Sequence, residues 1–176
     1  TGGGGGGGSC FIAGTLVSTP NGDIPIQNLN VGDKVYSFNE HNDKVDIDII
    51  YEVISHTAEE DTFGLYKITT KTNEVTTTGN HPFVKLNPEY EDNGADWTSA
   101  RLLKIGDKIY DEDGIAQTII SIEKLNHKEN TYNLEIENNH TYIADGFRVH
   151  NSLYSRKRGK NKEDDIGTFA RDLNTE

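Results

Sequence analysis

Leu29-Asn30-Val31-Gly32-Asp33-Lys34-Val35-Tyr36 reappears downstream as Leu103-Lys104-Ile105-Gly106-Asp107-Lys108-Ile109-Tyr110. In each copy a Gly-Asp turn feeds an alternating strand, and the flanking apolar positions agree as well. The copies lie 74 positions apart (106 minus 32). That is too far for a stacked repeat and about half of the span from Cys10 to Asn151, so two related β-halves with pseudo-twofold symmetry are expected.

Outward from these copies the chain reads as short strands between turn signals. Strands are predicted over 15–19, 34–38, 47–56, 63–70, 74–78, 108–111, 116–124, 131–137 and 141–149. Pro20-Asn21-Gly22-Asp23 is a turn in which glycine takes a positive φ at little cost. Only 98–103 suggests a helical turn. Many short strands without helical periodicity imply an all-β fold, and 176 residues suffice for one sizeable core but not for a second full domain.

The ends differ from this middle. Gly2 to Gly8 is a tether with no side chains to bury, and residues 1–9 read as an N-terminal flanking segment. From Ser152 the chain turns polar, with Arg156-Lys157-Arg158-Gly159-Lys160-Asn161-Lys162 followed by Glu163-Asp164-Asp165, so 152–176 read as a largely flexible C-terminal flank around a 10–151 domain. A net charge of −12 and a pI near 4.9 argue against a nucleic-acid partner, which needs a concentrated basic face. No run of about 18 apolar residues and no signal-peptide pattern occurs, so no membrane partner is expected. A monomer in a reducing cytoplasm is the default expectation, because the single cysteine must stay a free thiol to react.

That thiol, Cys10, is one of two points that bracket the chemistry. The other is His150-Asn151-Ser152. The Asn151 side-chain nitrogen can attack its own main-chain carbonyl, close a succinimide and break the bond to Ser152. At the opposite end, the peptide before a cysteine can rearrange to a thioester. That rearrangement needs the leaving nitrogen protonated and the carbonyl polarised. In Thr78-Gly79-Asn80-His81-Pro82-Phe83, His81 is the candidate for the first task and Thr78 for the second. His41, His56 and His127 read as surface residues.

Three stretches, taken in order, resemble the blocks of inteins. They are Cys10-Phe11-Ile12-Ala13-Gly14-Thr15-Leu16-Val17, Thr78 to His81, and Tyr142-Ile143-Ala144-Asp145-Gly146-Phe147-Arg148-Val149-His150-Asn151. The domain is identified as similar to the Hedgehog/intein (Hint) superfamily, of mini-intein or bacterial-intein-like type. The resemblance implies a compact horseshoe-shaped β-fold. A span of 142 residues (151 minus 10 plus 1) has no room for the endonuclease insertion of larger inteins.

The resemblance also implies roles. Cys10 would attack the Ser9 carbonyl with help from Thr78 and His81. Ser152 would take over the N-terminal segment as an ester. Asn151 would cyclise, with His150 on its carbonyl and His140 moving the proton, and an ester-to-amide shift would join the flanks. The flanking polypeptides are then the substrate, and no cofactor is required. Cys10, His81, His140 and His150 are ligand types for zinc, which is expected as a reversible inhibitor.

Two departures bear on the outcome. Asn133 stands where many inteins carry an Asp that assists transfer, and Ser152 is a weaker nucleophile than a cysteine. Slow splicing with separate cleavage is therefore expected. The alternatives are a Hint domain that only cleaves or passes its N-terminal acyl group to an outside amine, and an inert β-scaffold.

Overall fold

The computed structural model describes residues 9–87 and 95–151. The repeated octapeptides take the same conformation, and the reason is local. Gly32 and Gly106 turn with φ of 92° and 97°, where any side chain would be strained. The following aspartates close each turn: Asp33 Oδ2 accepts the Asn30 N–H at 2.8 Å, and Asp107 Oδ2 accepts the Lys104 N–H at 2.8 Å. Each glycine N–H then donates to the next long strand, Gly32 to the Ile50 carbonyl and Gly106 to that of Ile119, both at 2.9 Å.

The first half contains β1 (Phe11–Ile12), β2 (Leu16–Thr19), β3 (Gly22–Pro25), β4 (Lys34–Phe38), β5 (Val45–His56) and β6 (Leu65–Thr70). The second contains β7 (Glu74–Thr78), β8 (Pro82–Leu86), β9 (Ala95–Ser99), β10 (Lys108–Tyr110), β11 (Ala116–Lys124) and β12 (Thr131–Ile136). A closing hairpin, β13 (Thr141–Ala144) and β14 (Phe147–His150), completes the sheet. Pairing follows the expected symmetry: β2 with β3 answers β8 with β9, and β4 with β5 answers β10 with β11. The halves also exchange strands, since β5 pairs with β12 and β11 with β6. On the dyad, β1 lies beside β7.

All described strands join one antiparallel sheet that runs from β3 at one edge to β4 at the other. It curls so that these ends approach. The Thr141 hydroxyl on β13 donates to the Phe38 carbonyl on β4 at 2.6 Å. The repeat also builds the core, because Leu29, Val35 and Ile50 are buried together with their counterparts Leu103, Ile109 and Ile119. Removing these side chains from water supplies the main driving force for the curl.

The architecture bears out an all-β Hint-like horseshoe. Two sequence expectations need correction. The strand predicted over 141–149 is a hairpin, broken at Asp145 and Gly146 with φ of 48° and 83°; Asp-Gly is a strong hairpin signal. Strands β1, β3, β8 and β9 were not expected, since two are opened or closed by proline and β1 has only two residues. The helical turn expected within 98–103 is present, as a 3-10 turn over Ala100–Leu102, and it has an unforeseen counterpart at Ile26–Asn28. The flanks 1–8 and 152–176, and with them Ser152, lie outside the described residues.

Candidate active site

Two-residue strand β1 fixes the N-terminal junction. It lies between β7 and β12, with Phe11 opposite Thr77 and Tyr132, and Cys10 enters this slot fully buried. The Cys10 N–H donates to Thr78 Oγ1 at 2.8 Å, while the Cys10 carbonyl accepts from the Thr78 N–H at 2.8 Å and from Thr77 Oγ1 at 3.1 Å. Thr78 spends its own hydroxyl proton on Asn80 Oδ1, 2.9 Å away. This corrects the role expected for Thr78: its oxygen holds the amide nitrogen of the Ser9–Cys10 bond and does not polarise the Ser9 carbonyl, because its one proton points at Asn80.

Burial pushes the Cys10 thiol up from 9.0 to about 12. A hydrogen bond to the Thr131 side chain pulls the other way, and the charges of Asp61 and Glu60 add to the rise. The thiol is therefore protonated at neutral pH, and any reaction at its sulfur requires that proton to be removed.

His81 is the proton carrier that the sequence leads one to expect at this junction. Its ring is buried against Phe11, centroids 4.1 Å apart, and edge-on to Phe83 at 5.9 Å. Burial, with the charge of His150 second, lowers His81 from 6.5 to about 3, while main-chain groups of His150 and Ser9 act in the opposite sense. One imidazole thus senses both junctions. Neither ring nitrogen has a hydrogen-bond partner among the described residues, which leaves one acceptor and one donor on the buried ring.

The closing hairpin presents the other junction. His150 pairs with Thr141 across β13 and β14, and its Nδ1 lies 2.7 Å from the Asn151 carbonyl oxygen. A carbonyl only accepts, so Nδ1 carries the proton. The Asn151 N–H donates to the His140 carbonyl at 2.9 Å, and the His140 ring stacks on His150 at 6.4 Å. Asn151 is buried, and its Oδ1 has no partner among the described residues.

Of the predicted site residues, Cys10, Thr78, His81, His140, His150 and Asn151 are gathered around these two junctions. Sequence reasoning missed Thr131 beside the thiol. It also missed Asp48, a buried carboxylate that accepts the Asn139 N–H at 2.9 Å and the Asn138 side-chain amide at 2.9 Å, thereby setting the loop that offers His140. The alternation of Ile47, Asp48 and Ile49 placed Asp48 on one face of a strand, but not which face. Asn133 is buried too, with Oδ1 accepting from the Leu134 N–H at 2.8 Å and from the Tyr142 hydroxyl at 2.5 Å. That amide has no basic atom to lend.

Among the described residues no three His, Cys, Asp or Glu side chains are arranged to hold a metal. An inhibitory zinc ion would have to capture Cys10 with fewer protein ligands than a structural site uses. His41 and His127 are exposed as expected, whereas His56 is half-buried and faces Glu60 at 3.6 Å.

The His81 shift carries a stability prediction. A base whose folded pKa is depressed contributes stability that is present above the unfolded value of 6.5 and lost as pH falls toward about 3. The loss approaches about 1.4 kcal/mol per pH unit. Urea unfolding of His81→Gln against the parent should show a flatter acid limb in the variant. Parallel limbs would contradict the buried neutral imidazole. Asp145, raised by burial to about 6, opposes this slope in both proteins and cancels in the difference.

Residues 16–153 match the pretoxin HINT domain family. The match begins beyond Cys10, so the N-terminal junction rests on the geometry above. No curated protein matches the chain. Among solved structures it is similar to a bacterial intein-like domain from Clostridium thermocellum, 28% identical over 81% of this chain and 98% of that one, with a TM-score of 0.67. It is also similar to a DnaB intein from Synechocystis, at 18% identity, 82% and 99% coverage and a TM-score of 0.69. A DnaX mini intein from Spirulina platensis gives 24%, 81%, 99% and 0.63.

Proposed function

Because the chain belongs to the pretoxin HINT domain family, we propose that it processes itself, excising residues 10–151 and joining the segments on either side. The observation that supports this reading is one of geometry: Thr78 Oγ1 accepts the Cys10 N–H, His150 Nδ1 donates to the Asn151 carbonyl, and the buried His81 ring packs beside Phe11. Cys10 and Asn151 are buried with it, and water that would hydrolyse a thioester is kept out.

The steps balance without an outside reagent. Cys10 Sγ attacks the Ser9 carbonyl carbon, the Ser9–Cys10 amide bond breaks, and the thiol proton passes through His81 to the leaving nitrogen. The Ser152 hydroxyl displaces the thiol and takes the N-terminal segment as an ester. Asn151 Nδ2 then attacks its own carbonyl carbon, with negative charge on the oxygen met by the His150 Nδ1–H. The bond to Ser152 breaks, His140 delivers the proton to the departing amine, and that amine captures the ester to leave a peptide bond. No nucleotide or metal takes part, because each acyl transfer is close to neutral and cyclisation draws the sequence forward.

A second reading, cleavage without joining, is favoured by Asn133. Its Oδ1 accepts from Leu134 and Tyr142, and an amide supplies no base for the transfer. The family's description as pretoxin is in keeping with release of a neighbouring segment.

Purified chain incubated with and without a small thiol, then weighed intact, tests both. We expect slow appearance of residues 1–9 joined to 152–176, accompanied by the separate flanks. Separate flanks alone would select the cleavage reading, and an unchanged mass would reject self-processing.

A further inference from the structure

The tip of the β4–β5 hairpin lies over the C-terminal junction, and no step above uses it. Residues 39–44 are closed by Asn39, whose Oδ1 accepts the N–H groups of His41 at 2.8 Å and Asn42 at 3.2 Å and whose own N–H donates to the Lys44 carbonyl at 2.8 Å. An ion pair from Arg148 to Asp43 pins this tip to β14. Thr141 pins its base to β13. The tip therefore holds a fixed position, and it delivers one carboxylate, that of Glu40, to His150.

Glu40 Oε2 lies 3.6 Å from His150 Nε2, and Glu40 Oε1 lies 3.5 Å from the indole nitrogen of Trp97. Trp97 stands edge-on to the His150 ring, centroids 4.8 Å apart. His150 thus meets the Asn151 carbonyl with Nδ1 and a carboxylate with Nε2. A neutral imidazole has one N–H, which Nδ1 already uses. An Nε2 lone pair would then face an anion, and a second proton turns that repulsion into attraction.

The geometry points to Glu40 as a positioning residue that holds His150 as a doubly protonated imidazolium, so that a cation meets the charge developing on the Asn151 carbonyl oxygen. Among the described residues, the other titratable groups shown facing His150 are His140, stacked on it, and His81, kept neutral by burial. Neither is an anion. This inference rests on the reading that the Asn151–Ser152 bond is the one broken.

The test is Glu40→Gln in the full chain, which keeps the shape and removes the charge. Cleavage after Asn151 should slow roughly tenfold near neutral pH, and the alkaline limb of its pH profile should move to lower pH. Thiol-induced release of residues 1–9 should be unchanged, which reports an intact fold. Glu40→Asp should recover part of the rate. In an Asn151→Ala chain, which cannot cleave there, nitrogen NMR of the imidazoles should show the His150 titration midpoint falling by about one unit when Glu40→Gln is added.

An unaltered midpoint overturns the proposal, whatever happens to the rates, and so does an unaltered rate and profile after Asn151. A lowered midpoint supports it even where Glu40→Gln loses both reactions. If the parent never cleaves after Asn151 but its midpoint still responds to Glu40, the reading that the Asn151–Ser152 bond is broken fails and the pairing of Glu40 with His150 stands.

Discussion

In a chain carrying Asn151→Ala, scission of the bond to residue 152 falls below detection, a loss of at least ~10⁴-fold, the scale seen when a reacting nucleophile is deleted. The side-chain nitrogen is the attacking atom, and alanine supplies none. The neighbouring Asn138 is no substitute, since its side-chain amide is bound to Asp48. Cys10, Thr78 and His81 keep their places, so a small thiol still releases residues 1–9. Intact mass after a day with thiol should therefore show the N-terminal flank leaving and the C-terminal flank attached. Continued cleavage after residue 151 would remove asparagine cyclisation from the mechanism.

The second large effect lies at the thiol. With Cys10 moved from 9.0 to about 12, the thiolate fraction near neutral pH is about a thousandfold below that of an ordinary cysteine, one factor of ten for each unit. Alkylation by iodoacetamide should accordingly be about 10³ slower in the folded chain than in urea. The folded rate should keep climbing with pH well above 9, where the unfolded rate levels off. A plateau near 9 in the folded protein would mean that Cys10 is not desolvated. The same shift explains how a nucleophile can lie against its target peptide without attacking at once.

Much of this was legible in the sequence. Cys10, His150 and Asn151 carry their chemistry in adjacent residues, and the Gly-Asp repeat disclosed the two halves because a glycine with positive φ and an aspartate that closes the turn are local requirements. The exchange of strands was not legible: which long strand β5 pairs with depends on contacts between residues about eighty positions apart. Glu40 was hidden for the same reason, being an ordinary acidic residue in a polar turn until the hairpin tip is set over His150. Strand β8 was masked by Pro82, which removes a backbone donor and reads as a break. The direction of the Thr78 hydroxyl could be known only once Asn80 was seen to accept its proton.

The burial of Cys10 between β7 and β12 also sets a schedule. A ribosome makes this chain from its N-terminus, so Cys10 emerges early and must wait for Thr131, supplied by the last strand of the second half, and for β14, which pairs with β8. Such distant pairings form late and slowly. Until then Cys10 is an ordinary exposed thiol next to an ordinary amide. On the proposed self-processing, synthesis of nearly the whole domain would precede the first bond change, and the segment that follows would already be in the making when the segment before it is released.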